Sequence, residues 1–177
     1  MKNLIIILWG CILYSCSFTL PEPDLDLRLK NLKQTINSDI AEGNALTYSV
    51  ASLDPNEDID RFYQLYHNSD HQLIKVAETH MRGNLPSDTS YVYYFDKDQT
   101  AFAFEVKVTI YTDSLFNSAT AFYNRDKAII AKEHATVDNC DIPMSKIDSL
   151  TVDFAQFHIP ADVRTFVKEK KILLRNS

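Results

Sequence analysis

The sequence predicts an α+β domain: a single antiparallel β-meander of about six strands, with an amphipathic helix before it and short helices after it. Three observations carry this. Nine Tyr and ten Phe against only three Gly in 177 residues favour pleated, half-buried surfaces. Between Thr100 and Tyr111, Phe102, Phe104, Val106, Val108 and Ile110 alternate with Ala103, Glu105, Lys107 and Thr109, the period of a strand with one apolar face. An internal repeat then multiplies that strand, because Tyr94-Phe95-Asp96-Lys97-Asp98-Gln99 aligns without a gap on Phe122-Tyr123-Asn124-Arg125-Asp126-Lys127, and more loosely on Tyr66-His67-Asn68-Ser69-Asp70-His71.

From the N-terminus, Met1-Lys2-Asn3 and the apolar run Leu4 to Leu13 have the layout of a signal peptide, since the run is too short to cross ~30 Å of hydrocarbon as a helix. Leu13-Tyr14-Ser15-Cys16 resembles the bacterial lipobox, with a branched apolar residue, a small residue and then the cysteine. That resemblance implies a signal peptide over 1–15 and acylation of Cys16 as the first mature residue. Residues 16–23, with Pro21 and Pro23, form a lipidated tether, and 24–177 is one domain. Several acyl chains, each methylene adding about 0.8 kcal/mol, hold such a chain on a membrane. Cys140 is the remaining cysteine of the mature chain, so no internal disulfide forms there. Losing Lys2 with the signal moves the net charge from -6 to about -7, which gives no electrostatic case for nucleic acid.

Leu25, Leu29, Leu32, Ile36 and Ile40 recur at helical spacing between Asp24, an N-cap residue, and Gly43, a C-cap residue. One face of this helix is expected to pack on the core. Tyr48 to Ile59 contains the acidic connection Asp54-Pro55-Asn56-Glu57-Asp58. The repeats follow over about 62–135. Each copy is an aromatic pair, an Asn/Asp-x-Asp turn and an apolar strand, which makes a hairpin because Asn and Asp bond their own backbone in turns. The strands expected are Phe62–His67, Gln72–Met81, Ser90–Phe95, Thr100–Tyr111, Thr120–Tyr123 and Lys127–Ala135, with longer links such as Gly83 to Asp88 at the far end from the turns. Ile147, Leu150, Phe154 and Phe157, then Val163, Phe166, Val167 and Leu173, return to helical spacing, although Thr151 to Phe154 also fits a strand.

Tyr93-Tyr94-Phe95-Asp96-Lys97-Asp98 and Phe122-Tyr123-Asn124-Arg125-Asp126 resemble the tandem Tyr-Tyr-Phe-x-Asp/Asn-Gly-x-Leu hairpins of small Bacteroidetes lipoproteins. Asp98 and Asp126 stand where that pattern has Gly. The resemblance implies a fold and a compartment and brings no activity with it.

No nucleophile elbow, phosphate loop, zinc-protease helix or Cys-His pair is present, so the sequence points away from an enzyme and to no cofactor. Asp96 and Asp98 could offer oxygens to calcium, and His67 and His71, with Glu78 and His80 further on, could offer ligands to zinc. Neither set completes a site by spacing, and solvated turns and surface histidines explain them. Glu105 and Glu133 fall on the register expected to face solvent. The stronger lead is Tyr91, Tyr93, Tyr94 and Phe95, which place rings on both faces of one strand and form a candidate binding face. The expected role is non-catalytic: a lipoprotein anchored to a bacterial membrane, taken as the outer one, facing periplasm or exterior, with a structural role or an envelope protein as partner. The alternatives are a small-molecule or metal-binding lipoprotein, or an inhibitor or immunity protein.

Overall fold

The computed structural model describes residues 24–52, 60–82, 85–110, 115–138 and 150–172. The signal peptide, Cys16 and its tether, the acidic connection, Cys140 and Ile147 lie outside the described residues. Helix α1 (Leu25–Ala41) is followed by seven strands, β1 (Leu46–Ser52), β2 (Asp60–His67), β3 (Leu73–Arg82), β4 (Leu85–Phe95), β5 (Ala101–Ile110), β6 (Leu115–Tyr123) and β7 (Ile129–Asp138). A single 3₁₀ turn, Phe154–Gln156, and helix α2 (Val163–Glu169) complete the described chain. The strands form one sheet in sequence order, every neighbour antiparallel, so the fold is the expected α+β meander with one strand more than the repeat suggested.

The three hairpin turns are built alike. Asn68 Oδ1 accepts from the backbone N–H of Asp70 (3.0 Å) and Gln72 (2.9 Å), and Asp96 Oδ1 accepts from those of Asp98 (3.0 Å) and Thr100 (2.8 Å). Asn124 Oδ1 accepts from Ala128 N (2.9 Å). In each, the register shifts at the residue pair before the turn, at Tyr66/His67, Tyr94/Phe95 and Phe122/Tyr123. The left-handed position falls on His71, Gln99 and Lys127, with φ of 60°, 59° and 62°. The expected glycine site at Asp98 and Asp126 is therefore one residue early.

The same geometry extends back one more copy. Gly43 has φ 80° and lies 28 residues before His71, as His71 lies 28 before Gln99 and Gln99 28 before Lys127. In all four, the left-handed residue donates its N–H to the carbonyl three residues earlier: Gly43 to Ile40, His71 to Asn68, Gln99 to Asp96 and Lys127 to Asn124. The first copy has α1 in place of its leading strand, and β1 is its trailing strand. The copies also interlock, since Gln99 Nε2 donates to Leu73 O (3.3 Å) and Lys127 Nζ to Ala101 O (2.7 Å), the same 26-residue reach into the preceding hairpin.

Both faces of the sheet are covered at its centre. On one, Leu29, Leu32, Ile36 and Ile40 of α1 pack on Val92, Tyr94, Phe102 and Phe122. Leu25, expected to open this stripe, is exposed. On the other, Phe154, Phe166 and Ile172 of the C-terminal segment pack on Tyr63, Val76, Tyr93, Phe95 and Phe104. The segment is fastened at the turn end, where Ala101 N donates to Ala161 O and Val163 N to Gln99 O. Asp162 caps α2 by accepting from Thr165 N at 2.7 Å.

This double covering corrects the solvent-facing register of β5. Glu105 is buried under α1, where it accepts from Tyr94 Oη (2.8 Å) and faces Lys33 Nζ (3.5 Å). Burial pushes its carboxyl up, and Lys33, Tyr94 and Lys75 outweigh that and hold it below its ordinary value. Two further expectations change. Leu85 to Asp88 belong to β4 rather than to a long link, and Leu150 to Asp153 are not helical. No described helix is long and apolar enough to cross a membrane.

Candidate functional site

Strand alternation puts Arg61, Tyr63, Val76, Glu78, Tyr91 and Tyr93 on the face that receives the C-terminal segment, because Tyr63 pairs with Glu78 and Glu78 with Tyr91. Glu78 is 1% exposed. Lys170, just past the end of α2, brings Nζ to 2.8 Å from Glu78 Oε2. His80 Nε2 lies 3.0 Å from Oε1, Tyr93 Oη donates to Oε2 at 3.2 Å, and Arg61 Nε stands at 3.9 Å. Burial alone would raise the Glu78 carboxyl, but the charge and hydrogen bond of Lys170, helped by His80, hold it below its ordinary value. The same burial, with the Glu78 charge alongside, pushes the Tyr93 phenol far up, so it stays a donor.

Above this cluster lies an open groove of about 490 Å³. Its apolar wall is the half-buried ring of Tyr91, 5.7 Å from Phe157 and 5.4 Å from His80, stacked over Phe104 beneath at 6.2 Å. A second groove of about 510 Å³ runs toward β6 and β7, lined by Tyr123, Ile129, Phe154 and Ile159. The two grooves share Phe157, His158 and Glu169. His158 Nε2 meets Glu169 Oε1 at 3.1 Å, tying the 3₁₀ region to α2. Tyr123 Oη is buried without a hydrogen-bond partner among the described residues, and burial pushes its phenol up to about 12.

Protein-family models, curated proteins and solved structures give no match to this chain. The site therefore stands on its own geometry. Of the ring-bearing candidates, Tyr93, Tyr94 and Phe95 are buried, so they do not form an exposed face. Tyr94 points into the α1 side and Phe95 into the C-terminal side, because each face has its own cover. Tyr91 alone of the four is half-exposed, and it borders the groove with the edge of Tyr93.

The candidate ligands are spoken for or apart. The carboxylate of Asp96 is engaged by its own turn, and Asp98 pairs with Arg125 at 3.2 Å. His67 stacks edge-on against Tyr48 at 5.4 Å, and burial together with the neighbouring His71 lowers its basicity. Glu78 and His80 do come together, at the far end of β3 from His67 and His71. Among the described residues, no three His, Cys, Asp or Glu side chains converge as a metal site.

The sequence singles out neither Lys170 nor Arg61, and marks Phe157 only as one apolar residue at helical spacing. Nothing local in the sequence shows that α2 folds back onto β3 to bring Lys170 to Glu78. The legible signal was Glu78 itself, which stands on the apolar register where the next copy has Val106.

Proposed function

We propose that the protein is a lipid-anchored, non-catalytic binding protein of the bacterial cell envelope that engages a protein partner along the groove over Glu78. The observation that carries this reading is the pairing of half-exposed rings, Tyr91 and Phe157, over a base in which the buried Glu78 carboxylate is held by Lys170. Aromatic rings held on a fixed support are what recognition surfaces use for contact area. A carboxylate kept ionised by a lysine 2.8 Å away is badly placed to shuttle protons near neutral pH, which argues against acid–base catalysis there. The anchor at Cys16 and the outer-membrane location rest on the lipobox-like Leu13-Tyr14-Ser15-Cys16 and on the likeness to Bacteroidetes hairpin lipoproteins.

A photo-crosslinking residue at position 91, in the full chain in its own membrane, tests the binding face. One reproducible adduct is expected, absent when the crosslinker is moved to position 97 in an exposed turn and reduced by Phe157→Ala. Equal capture from both positions, or none from position 91, defeats the reading. For the anchor, Cys16→Ala is expected to abolish palmitate labelling, and persistent labelling contradicts it.

The volume of the groove, about 490 Å³, also lies within the range of small-molecule sites, which favours a ligand-binding lipoprotein as the second reading. Native mass spectrometry of the protein released gently from its membrane separates the two: a bound compound of a few hundred daltons supports the second.

A further inference from the structure

The two edges of the meander differ in chemistry. β7 carries Lys132, Glu133, His134 and Asp138. β1, with the sequence Leu46-Thr47-Tyr48-Ser49-Val50-Ala51-Ser52, carries no charge, no Pro and no Gly. Its register against β2 runs from Leu46↔His67 to Ser52↔Arg61 without a shift, so no bulge turns it away. Soluble proteins ordinarily protect a free edge with charge, proline, a bulge, short length or a covering element. Among the described residues neither α1 nor the C-terminal segment covers β1: Leu46 is 43% and Tyr48 48% exposed, Thr47, Ser49 and Ala51 are exposed, and Val50 alone reaches the core.

We propose that β1 pairs antiparallel with β1 of a second copy of this chain, across a two-fold axis at Ser49, so that the sheet continues from one protomer into its partner. The strand itself argues for this occupant. Antiparallel pairing centred on Ser49 sets Tyr48 opposite the second copy's Val50 and Val50 opposite its Tyr48, all on the face that carries the C-terminal segment. Aromatic and β-branched residues directly opposite are favourable cross-strand pairs. Thr47 meets Ala51 on the other face. An uncharged strand opposes no like charges when it meets itself, and a two-fold pairing is self-limiting, which uses the edge up instead of propagating a fibre. A strand from another protein would gain the same backbone bonds, but nothing in β1 selects one by charge.

The test is disulfide trapping of the full chain in its own membrane. In an antiparallel pair on the axis, the two residues at position 49 have Cβ atoms about 4.5–5.5 Å apart, close to disulfide reach. Ser49→Cys under mild oxidation is expected to give a dimer of twice the chain mass on a non-reducing gel, at least fivefold above the parent protein, which controls for Cys140. His134→Cys on β7 is expected to give no such increase. Adding Tyr48→Lys to Ser49→Cys is expected to cut the trapped dimer at least fivefold. Tyr48 lies on the exposed edge, and an unchanged thermal midpoint of the trapping-deficient variant confirms that the fold is intact. No excess dimer from Ser49→Cys, equal trapping at His134→Cys, insensitivity to Tyr48→Lys, or a product whose mass adds a different protein would each overturn the proposal.

Discussion

Removing one oxygen from Tyr94 and the same oxygen from Tyr123 should move stability in opposite directions. Both phenols are buried on the sheet, at 1% and 6% exposure. Tyr94 Oη donates to the Glu105 carboxylate at 2.8 Å, and its single proton leaves Asn37 Oδ1, at 3.3 Å, to be served by Lys75 at 2.8 Å. Hydrogen bonds to charged groups contribute about 1.5–3 kcal/mol, so Tyr94→Phe is expected to cost about 2 kcal/mol, with Lys33 still holding Glu105. Tyr123 Oη has no partner among the described residues, and burying a hydroxyl without one carries a penalty of about 1–3 kcal/mol that Tyr123→Phe removes. The phenylalanine variant is expected to gain about 1 kcal/mol. For a domain of this size each kcal/mol moves the thermal midpoint by about 2–4 °C, so the two variants should melt about 9 °C apart. Far-UV circular dichroism of the purified protein measures this. If Tyr123→Phe melts as low as Tyr94→Phe, the accounting of buried hydroxyls on these two faces is wrong.

Glu78→Gln leaves the Lys170 ammonium facing an amide and should cost about 2–3 kcal/mol, less than the 3–5 of a fully buried pair because Lys170 keeps 20% of its side chain exposed. Hydrogen exchange should quicken in Val163–Glu169 and stay unchanged in β4 and β5; a uniform change would mean that Lys170 does not tether α2. The pH profile follows from the shifted groups. Glu78 and Glu105 titrate below their ordinary 4.5, so their contribution is complete above that value and is lost as pH falls through the folded values. His67 is lowered from 6.5, so the folded state takes up its proton less readily and stability starts a shallow decline below about that pH. Tyr93, Tyr94 and Tyr123 are raised from 10.0, so their contribution is complete below 10 and is lost as pH rises beyond it, for Tyr123 through about 12. Urea midpoints from pH 3 to 11 should show a plateau between roughly 6.5 and 9.5; a maximum near pH 5 would contradict this. At the turns, His71→Gly should stabilise by about 1 kcal/mol by relieving a left-handed residue. Lys127→Gly should not, since it also loses the bonds to Ala101 O and Ala161 O; equal gains in denaturant titrations would show that those bonds contribute nothing.

The hairpins were legible because their chemistry is local. An Asn or Asp that bonds its own backbone, an aromatic pair before it and alternation after it are all written within a few residues. β1 was not legible for the opposite reason. Leu46, Tyr48 and Val50 do alternate with Thr47, Ser49 and Ala51, but the run is short, only Val50 reaches the core, and its turn is the end of a helix rather than an Asn/Asp loop that would mark a hairpin. The burial of Glu105 and the exposure of the groove were equally hidden. Alternation tells which residues share a face, but not which face is covered, and that depends on where α1 and the C-terminal segment dock, many residues away. Tyr93 and Tyr94 show the consequence: adjacent and chemically identical, they enter two separate polar clusters, one with Glu78 and one with Glu105.

A repeat of 28 residues makes equivalent positions comparable within one molecule, and it separates geometry from use. Where the copies agree, at the Asn/Asp that starts each turn and at the left-handed residue that ends it, the agreement is imposed by the hairpin. Where they disagree on one face, something outside the repeat is being accommodated. Tyr63 and Tyr91 give way to Ala119, and Leu65 and Tyr93 to Ala121, and the room this leaves lies in the core cluster that takes in Phe154 of the C-terminal segment. Glu78 replaces the apolar residue found at Val50 and Val106, and Lys170 arrives from the same segment to meet it. The sheet thus supplies identical hairpins, and the C-terminal segment breaks their equivalence. The groove over Glu78 lies where Phe157 of that segment meets Tyr91 of the sheet. By the same logic β1, the trailing strand of a copy whose leading strand is a helix, is left with one neighbour where β3 and β5 have two. An edge made by truncating a repeat is already shaped to receive another strand of the same sheet.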